Sequence, residues 1–224
     1  MRITLFIISI FFSVSCFSQT DPNEIFRNLK EGAILVRLRT NENVLKAVKG
    51  KNKLEEKVKR HILIQNQGII DAFSLKFTYC KVFYFYSNAT GKIKDKEFAE
   101  VLYDKNLNKV VEIPKLDNNY LISTFQGTKI DTMDYWMWYE YRHQYYENNG
   151  QYSDTSGLST YYGSPSMHSI DALILYSPDL IPLQDPYPHY VRTFERIPFI
   201  KRSRERSVEL LQYKIEKYIN QRLN

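Results

Sequence analysis

Histidines are the side chains of this sequence best suited to acid–base chemistry at neutral pH. His168 stands three residues before Asp171, and the segment Gly163-Ser164-Pro165-Ser166-Met167 lies just upstream. A serine hydrolase of the Gly-x-Ser-x-Gly type needs a second glycine here, and this segment has none and contains a proline. The sequence therefore assigns no catalytic residues. A hydrolase that uses His143 or His168 with a nearby carboxylate is the alternative hypothesis.

Metal-ligating side chains occur at one suggestive spacing. Glu140, His143 and Glu147 would share one face if the segment around them is helical. Such sites need further ligands from elsewhere in the chain, and none is indicated. No zinc pattern, phosphate-binding glycine loop or dinucleotide fingerprint occurs. The sequence therefore predicts no metal and no cofactor.

An aromatic insertion at about 131–169 is the unusual feature of the chain. Flat rings interspersed with Ser, Gly and Asn are typical of adaptable binding loops, and long insertions in compact domains often carry function. The rings predicted to bind are Trp136, Trp138, Tyr139, Tyr141, Tyr145, Tyr161 and Tyr162. They favour a non-catalytic binding or interaction role, with a glycan, a peptide or an envelope protein as partner. Two alternatives stay open: the rings pack in the core, or the protein is a structural component of a cell-envelope assembly.

The N-terminus has the pattern of a secretory signal. Met1-Arg2 precedes an apolar run, small residues lead to Ser18, and the run is too short to span a membrane. The stretch resembles bacterial export signals in which a Gln follows the cut. The sequence thus predicts a signal peptide over 1–18 and an exported domain over 19–224, periplasmic or secreted. A lipoprotein anchored through Cys16 is the alternative, and lipidation there is the expected route to a membrane.

Positive charge is concentrated after Tyr190, where nine Lys and Arg stand against four Glu. The basic patch that we single out consists of Lys201, Arg202, Arg204 and Arg206. It could contact an anionic surface, or it could be the solvated start of a helix. Because the chain is predicted to be exported, nucleic acid is not expected as a partner.

Hydrophobic periodicity predicts the elements that must position these groups. Strands are expected over Ala33–Leu38, Lys81–Ser87 and Tyr120–Phe125, helices over 41–77 (broken at Gly50) and 203–223, and two similar hairpins over 102–110 and 175–183. The pattern predicts one α/β (or α+β) domain. Its single mixed sheet carries helices packed on it, with a long helix on the N-terminal side and an amphipathic helix at the C-terminus.

The chain ending also resembles that of thioredoxin-like folds, in which a hairpin is followed by a terminal helix. The resemblance is one of topology, and it makes a thioredoxin-like fold the alternative architecture. Because the sequence has no Cys-x-x-Cys pair, no redox role is implied. Cys80, beside an apolar strand, is expected to be a buried and inert thiol.

Overall fold

A computed structural model describes residues 21–111, 116, 119–128, 170–194 and 200–223. The described residues form a five-stranded mixed sheet, in the order β2-β1-β3-β4-β5, with helices packed on it. This confirms the predicted α/β architecture. The elements are α1 (Pro22–Asn28), β1 (Ala33–Leu38), α2 (Glu42–Val48), α3 (Asn52–Lys76), β2 (Lys81–Tyr86), α4 (Thr90–Lys94), β3 (Tyr120–Thr128), β4 (Ile170–Tyr176), β5 (Tyr190–Arg192) and α5 (Arg204–Arg222).

Strand β1 is the centre of the fold. It pairs in parallel with β2 on one side and with β3 on the other. Its side chains alternate between two apolar cores, because successive residues of a strand point to opposite faces. Ile34, Val36 and Leu38 belong to the core under α1, α3 and α5, which we call the helix face. Ala33 and Leu35 belong to the core under α4 and the residues that follow it, the loop face.

The predicted helical region 41–77 is confirmed as two helices, α2 and α3. Gly50, which lies between them, has a φ of 84°, a conformation that favours glycine. Leu54, Val58, Ile62, Ile69 and Phe73 recur at spacings that predict one apolar face for α3. This face is buried only from Ile62 onward. Leu54 is exposed, because the N-terminal half of α3 contacts α2, and α2 has no buried residue. These two helices therefore extend beyond the core.

The C-terminal helix α5 begins after Ser203, as the sequence predicts. The Ser203 hydroxyl accepts a hydrogen bond from Arg206 N (3.1 Å), which caps the helix. The buried residues of α5 include Val208, Leu211 and Ile215, which join the helix-face core. No described helix has the length and apolarity needed to cross a membrane.

Both edges of the sheet are covered. On the β2 edge, Tyr84 and Tyr103 exchange two backbone hydrogen bonds of 2.9 and 2.8 Å. The continuously apolar run of β2 predicts a strand buried on both faces. Because β2 lies at this edge, Val82 and Phe83 are only half-buried, so that prediction is wrong for them. On the β5 edge, cationic side chains bind the outward carbonyls. Lys214 Nζ donates to Tyr190 O (2.7 Å), and Arg202 Nη1 donates to Arg192 O (2.8 Å).

The two predicted hairpins are confirmed, and their turns have the same geometry. Leu107 and Leu180 occupy equivalent positions with φ values of 60° and 61°. The matching backbone hydrogen bonds are Val110 N to Leu102 O and Leu183 N to Leu175 O, each 3.0 Å, and Leu107 N to Asp104 O and Leu180 N to Ser177 O, also 3.0 Å each. The two turns face opposite cores, since Leu107 packs on the helix-face core and Leu180 on the loop-face core.

Two glycines make a matched test of this packing. A Cβ on Gly32 would lie 1.8 Å from Asn119 O, in the backbone that leads into β3, whereas a Cβ on Gly91 meets nothing within 4 Å. We expect Gly32→Ala to lower the free energy of unfolding by about 3 kcal/mol, because backbone must move. Gly91→Ala, in α4, should raise it by about 0.5–1 kcal/mol. Urea unfolding measures both, and equal effects would contradict this account.

Candidate functional site

A crevice lies beside the carboxyl ends of β1 and β2. After β1 the chain continues through α2 and α3, both of which line the crevice, and α3 packs on the helix face. After β2 it continues through α4, and Ile93, Phe98 and Leu102 pack on the loop face, whereas Leu107 packs on the helix face and lines the crevice. Ligands of α/β proteins commonly bind outside the carboxyl ends of parallel strands.

We call this opening the strand-end crevice. Its volume is about 550 Å³, within the range of small-molecule sites. Its apolar lining comes from Leu45, Ile62, Leu63, Ile64, Tyr86 and Leu107, and its polar lining from Arg39, Thr40, Glu42, Asn66 and Gln67. Most of the lining is thus hydrophobic, with a few polar groups at defined positions.

Asn66 fixes the backbone at the crevice from within helix α3. It is 5% exposed, and both ends of its amide bind Arg39. The Arg39 N–H donates to Asn66 Oδ1 (3.0 Å), and Asn66 Nδ2 donates to Arg39 O (2.9 Å). This pair replaces the backbone hydrogen bonds that Arg39 can no longer make as the chain leaves the sheet.

A second contact joins the segments that follow β1 and β2. Thr40 N donates to Ser87 Oγ (3.1 Å), and the two hydroxyls lie 2.8 Å apart. These hydrogen bonds therefore link the segment that follows β1 to the segment that follows β2.

The side chain of Arg39 spans from β1 to β3. Its Nη2 donates to Phe125 O at 2.6 Å, and its other N–H groups have no hydrogen-bond acceptor among the described residues. A guanidinium held by one N–H can present the rest of its planar fork to a ligand. Arg39 and Glu42 are the charged residues of the lining, one of each sign.

The predicted aromatic and histidine sites fall outside the described residues. This applies to Trp136, Trp138, Tyr139, Tyr141, Tyr145, Tyr161 and Tyr162, and to Glu140, His143, Glu147 and His168. Thr128 of β3 and Ile170 of β4, which flank the insertion, are described and pair with each other. Since β3 runs parallel to β1 and β2, this pair lies at the same end of the sheet as the crevice. No group of metal-ligating side chains occurs among the described residues.

The structure gives the members of the predicted basic patch separate partners. Arg202 binds the β5 edge and lies 4.9 Å from the Phe194 ring. Arg204 Nη2 donates to Gln65 Oε1 on α3. Arg206 pairs with Glu209 at 2.8 Å, and Lys201 is exposed. A role of this patch in binding an anionic surface stays a prediction, while Arg202 and Arg204 have structural contacts of their own.

Arg39 and Asn66 were missed by reasoning from the sequence. Two signals point to them in retrospect. Arg39-Thr40 follows directly after an apolar strand, the position from which α/β proteins present ligand-binding groups. Asn66 is a polar residue between Ile62 and Ile69 on the buried side of a helix, where an amide needs partners.

The chain was compared with known proteins by family, by sequence and by structure. No protein-family model, no curated protein and no solved structure matches it. The thioredoxin-like alternative therefore stays a prediction.

The Asn66 contacts generate one prediction. Asn66→Leu removes both partners of the Arg39 backbone, and we expect the free energy of unfolding to fall by about 2 kcal/mol, because a buried N–H and C=O lose their hydrogen bonds. Asn66→Asp should cost less than Asn66→Leu at a pH low enough for the new carboxyl group to be protonated, because it can then accept from Arg39 N and donate to Arg39 O, whereas the ionised form would be a buried charge facing that carbonyl. Gln67→Leu, one residue along and exposed, is the control. Urea denaturation of the three variants measures the ranking, and an Asn66→Leu protein as stable as the control would refute it.

Cys80 generates a second prediction. The thiol is half-buried against the helix-face core, and burial raises its pKa to about 12. At pH 8 the folded protein should hold far less thiolate than the unfolded chain, whose cysteine has a pKa of about 8.5. Because thiolate is the reactive species, alkylation by iodoacetamide should be at least about a hundredfold slower in the folded state.

The alkylation is followed by mass spectrometry in the Cys16→Ser variant, in which Cys80 is the remaining cysteine. The same variant in guanidinium chloride supplies the unfolded rate. Equal rates in the two states would show that the Cys80 thiol is open to reagent and unperturbed.

Proposed function

We propose that this protein is an exported binding protein that takes an amphipathic small molecule in the strand-end crevice. Export is supported by the signal-like residues 1–18 of the sequence. The observation that carries the binding proposal is the composition of the crevice, whose lining combines apolar side chains with Arg39, an arginine held by contacts within the protein. Sites of this composition bury the apolar body of a ligand and orient it through a few polar groups.

The crevice is organised before a ligand arrives. Asn66 holds the backbone of Arg39, Ser87 holds Thr40, and the Phe125 carbonyl holds the Arg39 side chain. Groups that are already ordered lose little conformational entropy when a ligand binds. This favours specific binding over loose contact with an exposed apolar surface.

The aromatic insertion keeps its predicted binding role in this proposal. The described residues that flank it, Thr128 and Ile170, lie at the same end of the sheet as the crevice. Phe125, which binds Arg39, is three residues before Thr128, a distance of about 10 Å along a strand. Rings supplied from 131–169 would therefore start close to the crevice, and a glycan or a peptide bound by them remains the predicted alternative ligand.

The test uses two leucines of α3 that are equally exposed. Leu63 and Leu75 are each 66% exposed, but only Leu63 lines the crevice. We expect the protein to bind a neutral apolar dye such as Nile red. Leu63→Glu should weaken this binding about tenfold or more, because the new carboxylate must lose water when the dye enters. Leu75→Glu is the matched control and should change the affinity less than twofold.

Dye fluorescence gives the affinity, and circular dichroism confirms that both variants fold. Absence of dye binding by the unaltered protein, or equal losses in both variants, would overturn the crevice proposal. Trp136 and Trp138 are the two tryptophans of the chain. A shift of tryptophan emission on dye binding would place the bound dye near the insertion, and its absence would separate the insertion from the crevice.

A further inference from the structure

We infer that the ligand of the strand-end crevice is an apolar molecule that carries a single carboxylate group. This inference rests on the proposed function, since it names the class of molecule that the crevice binds. Among the described residues it follows from Arg39, the cation of the lining, from the charge balance between Arg39 and Glu42, and from the apolar part of the lining.

Arg39 supplies the recognition group. Its backbone is fixed through Asn66 and its Nη2 through Phe125 O, so the guanidinium is held at both ends of the residue. Its other N–H groups can donate two parallel hydrogen bonds to the two oxygens of a carboxylate. A neutral polar ligand would accept weaker bonds from the same group.

The charge of the lining limits the ligand to one negative charge. Glu42 stands three residues after Arg39 and also lines the crevice. The formal charges of these two residues cancel. A monoanion can pair with Arg39 and leave Glu42 in water, whereas a dianion such as a phosphate monoester would place its second charge near one carboxylate, with no second cation among the described residues of the lining.

The apolar part of the lining indicates the chemistry of the rest of the ligand, the part that carries no charge. Leu45 from α2, Leu63 from α3 and Leu107 from the first hairpin line the crevice from three different elements. Leu63 is mostly exposed, so a hydrocarbon chain would bury apolar surface that the protein leaves in water. A carboxylate on a saturated or aromatic hydrocarbon satisfies both the guanidinium and this part of the lining.

The experiment compares three probes that share one hydrocarbon chain. Decanoate, decanol and 2-aminodecanoate are titrated into the full chain below their aggregation concentrations, by displacement of the bound neutral dye. We expect decanoate to bind at least about tenfold more tightly than decanol, the magnitude of one charge-assisted interaction. Arg39→Gln should remove most of this difference, because decanoate loses a charge-assisted interaction and decanol loses only a weaker hydrogen bond. Arg222→Gln, at the end of α5 and outside the crevice lining, is the control and should preserve the difference.

The outcomes separate this inference from the proposed function. Decanol binding as tightly as decanoate would overturn the carboxylate and leave the apolar crevice standing. Tighter binding of 2-aminodecanoate, lost in Glu42→Gln, would show a zwitterion site and overturn the inference. Failure of all three probes to displace the dye would overturn the inference, and failure of the dye itself to bind would overturn the proposed function. In Glu42→Gln, decanoate should bind slightly more tightly, because a like charge is removed.

Discussion

The burial of β1 is the constraint on which the rest of the structure depends. This strand has parallel neighbours on both sides and an apolar core on each face, so every position except Arg37 is buried. A strand in such a place needs helices or loops over both faces, because a half-covered one would expose apolar surface to water. The chain meets this need by sending the connection after β1 to the helix face and the connection after β2 to the loop face. The strand-end crevice is lined by α2 and α3, the helices that follow this strand.

The edges of the sheet show how the remaining backbone groups are satisfied. Unpaired edge carbonyls invite pairing with other chains, and natural proteins cover or charge them. Here the β2 edge is closed by the first hairpin, through Tyr84 and Tyr103, while the β5 edge is closed by Arg202 and Lys214. Part of the positive charge near the C-terminus therefore has a structural use.

Much of the fold could be predicted from the sequence, and the site could not. Strand β1, the break at Gly50 and both hairpins have local signals, namely an apolar run, a residue suited to positive φ and polar turn residues. The crevice has no local signal, because Arg39, Asn66, Tyr86 and Leu107 are brought together by topology across about 70 residues of chain. The sequence directed attention to the aromatic rings of 131–169, whose chemistry is recognisable from composition alone. A lone arginine after a strand becomes informative only when the neighbouring strand is known.

Leu107 belongs both to the first hairpin turn and to the lining of the crevice. Its left-handed backbone is a conformation in which glycine or asparagine would cost less, yet leucine occupies the position and its side chain reaches the crevice wall. Two opposing requirements therefore act on position 107. The left-handed backbone favours glycine or asparagine, whereas the crevice lining uses the apolar side chain of leucine. Glycine at position 107 would remove the backbone strain of the turn and would also remove an apolar side chain from the crevice lining. The stability of the turn and the binding of a ligand therefore favour different residues at this position.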